Sequence, residues 1–253
     1  MKHTYLTTKG TPIKISHFPG WSKHKYHDLM NEFARVNVNS IPEDLQIITC
    51  VDDRSVEKDK SPLIRQLTNS NIPFVNAAAG KDVYPWVHNK KIQMICDALD
   101  NTTTKYCLIL DGIDVAVNDS DLSDIVDLFK TYNKKVIFNG TSLLHPRVMI
   151  DIIPNRVEKY GRNSFLNAGC CIGETEYLKT FYREVLELFN NTDRSSCKYW
   201  KSEQYFVRSV FAKHMDDVWF DYESKIFQVW HCIKLSLPEI NEETGEIVYK
   251  MLK

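Results

Sequence analysis

Asp111 and Asp114 are the residues of this chain best placed to do chemistry. They end the run Tyr106-Cys-Leu-Ile-Leu-Asp-Gly-Ile-Asp-Val115, a short apolar stretch that delivers two carboxylates across a Gly-containing turn. Apolar runs of this length bounded by glycine read as core strands of an α/β sheet, and such sheets bind ligands at the carboxyl ends of their strands. Two acids there can hold a divalent cation against a phosphate, and oxygen ligands of this kind suit Mg²⁺ or Mn²⁺. The plainer reading of the same residues is a solvated turn with a helix cap.

The elements that must position these acids follow from the pattern of apolar residues. Leu45–Val51 reads as a first core strand, Pro62–Leu67 as a helix with proline in its first turn, and Pro73–Asn76 as a short strand. Ala77-Ala-Ala-Gly80 forms a small-residue loop before a helix between Trp86 and Leu99. After the acidic strand come a helix over Leu122–Tyr132 and a strand over Lys135–Phe138. Alternating strands and helices predict an α/β domain with a mixed, mostly parallel sheet flanked by helices. The strand Phe165–Gly173 carries two glycines, which points to close approach of a backbone or ligand. Amphipathic helices over Tyr177–Phe189 and Ser202–Phe211 follow, then short aromatic segments at Val218–Tyr222 and Lys225–Trp230. Residues 1–40 read as a polar, aromatic and histidine-rich N-terminal extension with a helix over Lys25–Val36. Residues 239–253 read as a charged tail whose Glu243-Thr-Gly245 turn joins two edge strands.

The 253 residues suffice for one large domain with a sizeable core, and the formal net charge is −1. No basic stripe suggests nucleic acid as a partner, and no apolar run approaches the length of a membrane span. The N-terminus lacks the apolar core of a signal peptide. The seven cysteines, Cys50, Cys96, Cys107, Cys170, Cys171, Cys197 and Cys232, are scattered and odd in number, so reduced thiols in a cytoplasmic compartment are the expectation.

Several segments together resemble a known family. Leu110-Asp-Gly-Ile-Asp-Val115 resembles the D-x-x-D metal motif of the lysyl-hydroxylase-type glycosyltransferases, the collagen-glucosylating domains and their relatives. Ile137–Pro146 is similar to that family's next strand and aromatic-proline loop, and Phe165-Leu-Asn-Ala-Gly-Cys-Cys-Ile-Gly173 to its L-N-S-G-G-F-I-G segment. Ser202-Glu-Gln-Tyr-Phe206 stands where the family has D-D-Q-L-F, and Phe220–Gln228 resembles its L-D-x-x-x-x-I-F-Q segment. The likeness covers residues 86–230, and its weight lies in the order of the segments.

The resemblance implies a GT-A fold and transfer of a hexose, glucose or galactose, from a UDP-sugar to a hydroxyl acceptor, with retention at the anomeric carbon. It implies Asp111 and Asp114 as ligands of Mn²⁺ or Mg²⁺, a Lewis acid that neutralises the departing diphosphate. Thr49, Val51, Asp52, Lys91, Gly112, Asn139 and Gly169 would line the nucleotide-sugar site. Asn167, Glu203 and Asp221 would face sugar and acceptor as catalytic or hydrogen-bonding groups. Each has a plainer reading: Asp52 as a turn residue, Lys91 as an exposed helical lysine, Asn167–Gly169 as a β-bulge, and Ser202-Glu203 as a helix start.

The chain also departs from the family. Thr141 replaces an acid in the family's A-E-S segment, and His145-Pro146 replaces Trp-Pro. The family's third metal ligand, in an H-G-N-G segment, has no counterpart before Lys253: either the sequence is a fragment cut short of that strand, or another residue substitutes, for which His231 is the candidate. A catalytically inactive nucleotide- or sugar-binding homologue is therefore the alternative. A phosphatase of the aspartyl-phosphate type fits poorly, because its second Asp belongs at position 113, which is Ile. The expected partners are a nucleotide sugar and a glycan, glycoprotein or collagen-like acceptor.

Overall fold

The structure is a computed structural model that describes residues 3–7, 10–146, 163–231, 233–244 and 246–252. Its central sheet has six strands: β3 (Leu45–Thr49), β4 (Phe74–Asn76), β5 (Tyr106–Leu110), β7 (Val136–Thr141), β8 (Phe165–Glu174) and β9 (Val218–Asp221), in the order β4-β3-β5-β8-β7-β9. Three neighbouring pairs are parallel, and β8 runs antiparallel to both β5 and β7. Five strands thus share one direction, and their carboxyl ends meet the first half of β8 along a single edge. That edge is where the sequence places its acids.

Period-two alternation explains why this sheet forms. On β5, Cys107 and Ile109 face one core while Tyr106, Leu108 and Leu110 face the other. The first core packs under helices Lys90–Asp100, Thr175–Asn191 and Glu203–Phe211. The second packs against helices Pro62–Asn69 and Ile125–Lys130. Ser61 and Ser202 cap their helices by accepting from Ile64 N and Tyr205 N, and Pro62 occupies the first turn.

The apolar run ends at the acids, as its sequence suggests, and a further short strand follows the Gly-containing turn. β5 ends at Leu110, and Val115–Val117 forms β6 in a second, three-stranded sheet. There β2 (Ile15–His17) lies between β6 and β10 (Phe227–Val229), antiparallel to β6 and parallel to β10.

The described part of the N-terminal extension is integrated into the fold: it supplies β2 and packs Phe18, Met30 and Phe33 around the fully buried Trp230. Helix 25–36 of the sequence reading is shorter, His27–Phe33, preceded by a turn of helix at Ser22–Lys25. The C-terminal segment is likewise integrated. β1 (His3–Leu6) runs parallel to β13 (Ile247–Leu252), which also pairs with β11 (Lys234–Leu235) and β12 (Glu239–Ile240). The β12–β13 pairing matches the expected hairpin, but β13 is not an edge strand, since β1 pairs with its other side. The hairpin's Gly245 and the seventh cysteine, Cys232, lie outside the described residues. The other six cysteines are free thiols, five of them buried. Among the described residues no helix is long and apolar enough to cross a membrane.

Candidate metal centre

Asp111 directly follows β5, and Asp114 directly precedes β6, so the turn between two sheets carries both acids. Pairing of β2 with β6 sets His17 opposite Val115, and Phe18 N donates to Asp114 O at 2.8 Å. His17 Nε2 consequently lies 3.7 Å from Asp111 Oδ2 and 3.5 Å from Asp114 Oδ1. His17, Asp111 and Asp114 form one group whose ligand atoms all fall within 4.8 Å of one another. Two carboxylates and an imidazole nitrogen at such separations can hold a divalent cation between them.

Sequence reasoning missed His17 and put His231 in its place. His231 is nearby, on the chain leaving β10, but its Nδ1 bonds Ser22 Oγ at 3.0 Å and it is not part of the group. Burial first, and then the neighbouring His17, lower its pKa to about 4 against the pull of Asp114. The only hint of His17 in the sequence was the histidine content of the first forty residues. No motif links it to Asp111, because a cross-strand pairing brings them together.

The opposite ring nitrogen has a partner. With the Asn139 amide oriented by its hydrogen-bond network, its oxygen accepts from His17 Nδ1 at 2.8 Å. Its nitrogen donates to Cys170 O at 3.3 Å and to Asn167 O. Nε2 is buried and has no hydrogen-bond partner among the described residues.

Gly169 explains why the strand Phe165–Glu174 carries a glycine here. The register of β7 against β8 jumps between Phe138 and Asn139, so that Asn139 faces Asn167 where regular pairing would give Cys170. The displaced backbone bonds Asp111, whose N donates to Gly169 O at 2.7 Å. A Cβ on Gly169 would stand 2.3 Å from His17 Cε1 and 2.6 Å from Asp111 Oδ2. The bulge and the close approach are both present, and the approaching groups are the candidate ligands.

Lys91 is no surface lysine. It is 2% exposed, and its Nζ donates to Asp111 Oδ1 at 2.6 Å while lying 3.3 Å from Glu203 Oε2. Burial would neutralise this ammonium, but Asp111 and Glu203 overcompensate and hold its pKa well above the usual lysine range. Burial also pushes the Asp111 carboxyl up, and Lys91 and then His17 more than reverse that, so its net shift is downward. Glu203, the first residue of its helix, is pushed up to about 7, chiefly by burial, with Lys91 opposing and Asp111 adding. Its Oε1 is buried without a hydrogen-bond partner among the described residues.

The remaining expected residues divide by what their polar atoms already do. Thr49, Val51 and Gly112 pack together where β3 and β5 end. A Cβ on Gly112 would stand 1.9 Å from Val51 Cγ2 and 2.7 Å from Thr49 Oγ1, so only glycine fits. Asp52 caps the short helix Asp53–Glu57, accepting from Ser55 N at 3.0 Å and Ser55 Oγ at 2.7 Å. Asn167 Oδ1 accepts from Gly169 N at 2.8 Å and stabilises the bulge.

Asp221 is not assembled into the cluster. Its carboxylate accepts from the Tyr132 hydroxyl and from the backbone N–H groups of Lys225, Ile226 and Phe227 at 2.7–2.9 Å. Burial raises its pKa, and these donors oppose the rise. A carboxylate so occupied holds β9 to the turn leading into β10.

No protein-family model matches this chain, and comparison with curated proteins also returns no match.

Proposed function

We propose that the chain is a metal-dependent glycosyltransferase on a GT-A-like sheet, moving a hexose from a UDP-sugar to a hydroxyl acceptor. The observation that carries the metal part is His17 Nε2, buried and without a hydrogen-bond partner among the described residues, facing two carboxylate oxygens at 3.5 and 3.7 Å. These distances exceed a hydrogen bond, yet the gap suits an ion bound at about 2.0–2.2 Å from each donor. A mixed set of one imidazole and two carboxylates favours Mn²⁺ over Mg²⁺, which prefers oxygen ligands. Support for the transferase part is the order of family-like segments and their convergence on one edge of the sheet, with Lys91 and Glu203 beside Asp111.

His17, Asp111 and Asp114 would hold the cation, which when bound supplies Lewis-acid stabilisation of a departing diphosphate. Lys91 fixes the Asp111 carboxylate through Oδ1 and leaves Oδ2 directed toward His17. Glu203, with a pKa near 7, is poised to hold or release a proton close to neutral pH.

The test is nucleotide release from a panel of nucleotide sugars with Mn²⁺, comparing wild type with Asp111→Ala and Asp114→Ala. Metal-dependent turnover of one donor, lost in both variants, is the expected result. Absence of turnover together with no thermal shift by UDP and Mn²⁺ would sink the reading, since a ligand of the native state must raise its stability. A shift without turnover would reassign the chain as a binding homologue.

A further inference from the structure

We infer that Asn139 is the positioning residue of the metal centre: its amide fixes the tautomer of His17 so that the Nε2 lone pair points at Asp111 and Asp114. The inference rests on the metal reading above and adds what prepares His17 as a ligand.

A neutral imidazole carries one proton, on Nδ1 or on Nε2, and only the bare nitrogen can bind a cation. In isolation His17 would place the proton on Nε2, because two carboxylates face that atom and only an uncharged amide faces the other. The geometry opposes this. Both carboxylate oxygens stand at 3.5 Å or more from Nε2, whereas Nδ1 is 2.8 Å from the Asn139 side chain.

The Asn139 amide is itself not free to turn. Cys170 O, Asn167 O and Asn167 Oδ1 are all acceptors, so they draw the NH₂ group toward the bulge and leave the oxygen for His17. Asn139 is fully buried, as β7 places it, so no water competes for that oxygen. The irregular register at Phe138/Asn139 therefore does two things at once. It brings Gly169 against the ligands, and it presents the carbonyl groups that orient the amide.

Metal-bound histidines generally donate their other N–H to such an acceptor, and loss of the acceptor costs about 10–100-fold in metal affinity. Asn139→Leu removes the acceptor, frees the Nδ1 proton to move to Nε2, and should weaken Mn²⁺ binding by about that factor.

The first measurement needs no variant: two-bond ¹H–¹⁵N correlations of His17 in metal-free protein, assigned by comparison with His17→Gln. The expected pattern is a protonated Nδ1 and a bare Nε2. An Nε2–H tautomer would overturn the inference, and so would a folded Asn139→Leu protein with wild-type Mn²⁺ affinity. Should Asn139→Leu fail to fold, the tautomer pattern of the wild-type protein still decides. Wild type that binds no Mn²⁺ overturns the metal reading itself. Wild type that binds Mn²⁺ while the Leu variant matches it overturns only the role of Asn139.

Discussion

The ends of β5 and β9 invite comparison. Each finishes an apolar strand at the same edge of the sheet, and each carries an aspartate, Asp111 after Leu110 and Asp221 after Phe220. Position along a strand does not tell them apart, but the use of their oxygens does. Asp221 is fully buried and accepts from Tyr132 and three backbone N–H groups. Asp111 has a side chain one-third exposed, gives Oδ1 to Lys91, and turns Oδ2 toward an imidazole nitrogen that has no hydrogen-bond partner among the described residues. A structural acid is one whose hydrogen-bonding capacity is spent; a site acid keeps some in reserve.

Four variants sharpen or break that distinction. The largest effect belongs to Asp114→Asn, which removes a ligand charge without orphaning Lys91. Mn²⁺-dependent nucleotide release should fall by about 10³-fold or more, equivalent to roughly 4 kcal/mol, with the melting temperature of the metal-free protein little changed. Retained turnover in this variant would place the chemistry elsewhere.

Next comes Asp221→Ala, the mirror case. It strands two buried N–H groups and a third that is half-buried, each buried one costing about 1–3 kcal/mol when unsatisfied, so a loss of about 3–5 kcal/mol is expected in denaturant unfolding. Activity per folded molecule should persist. A stable but inactive Asp221→Ala protein would return this residue to the site.

Glu203 gives a smaller, pH-dependent effect. Its folded pKa near 7 lies above the unfolded value of 4.5, so the native state binds the extra proton and the group costs stability as pH rises through that interval. Glu203→Gln should therefore gain about 2–3 kcal/mol relative to wild type between pH 5 and pH 8. Chemical denaturation at the two pH values reads this directly, and parallel curves would show that Glu203 titrates normally.

His231 has the opposite sign. Its folded pKa of about 4 lies below the unfolded 6.5, so stability present above pH 6.5 drains away as pH falls toward 4. His231→Gln should remove about 2 kcal/mol of that acid-side loss at pH 5. An unchanged acid limb would mean that His231 is solvated in the native state.

Much of the fold was legible because burial imposes short-range periodicity. The alternation of Tyr106–Leu110 between two cores and the amphipathic spacing of helix Thr175–Asn191 depend on neighbours in sequence. So do the caps at Ser61 and Ser202. Asp111 and Asp114 were readable for the same reason, as acids at the end of an apolar run. His17 was not, because its role arises from pairing of β2 with β6 across about a hundred residues. The role of Asp221 was misjudged for a related reason: its partners lie at Tyr132 and four to six residues downstream, and nothing local announces them. Lys91 was singled out in the sequence, but its burial against Asp111 and Glu203 depends on how helix Lys90–Asp100 docks on the sheet.

The position of β2 at the centre of the small sheet has a consequence for the order of events in the life of the chain. The strand that carries His17 is held on one side by Val115–Val117 and on the other by Phe227–Val229, with Trp230 N donating to His17 O at 2.8 Å. A nascent chain that has just exposed Asp111 and Asp114 lacks half of what pins its histidine. On the metal reading proposed above, the site would be complete only once β2 has been joined by both β6 and β10.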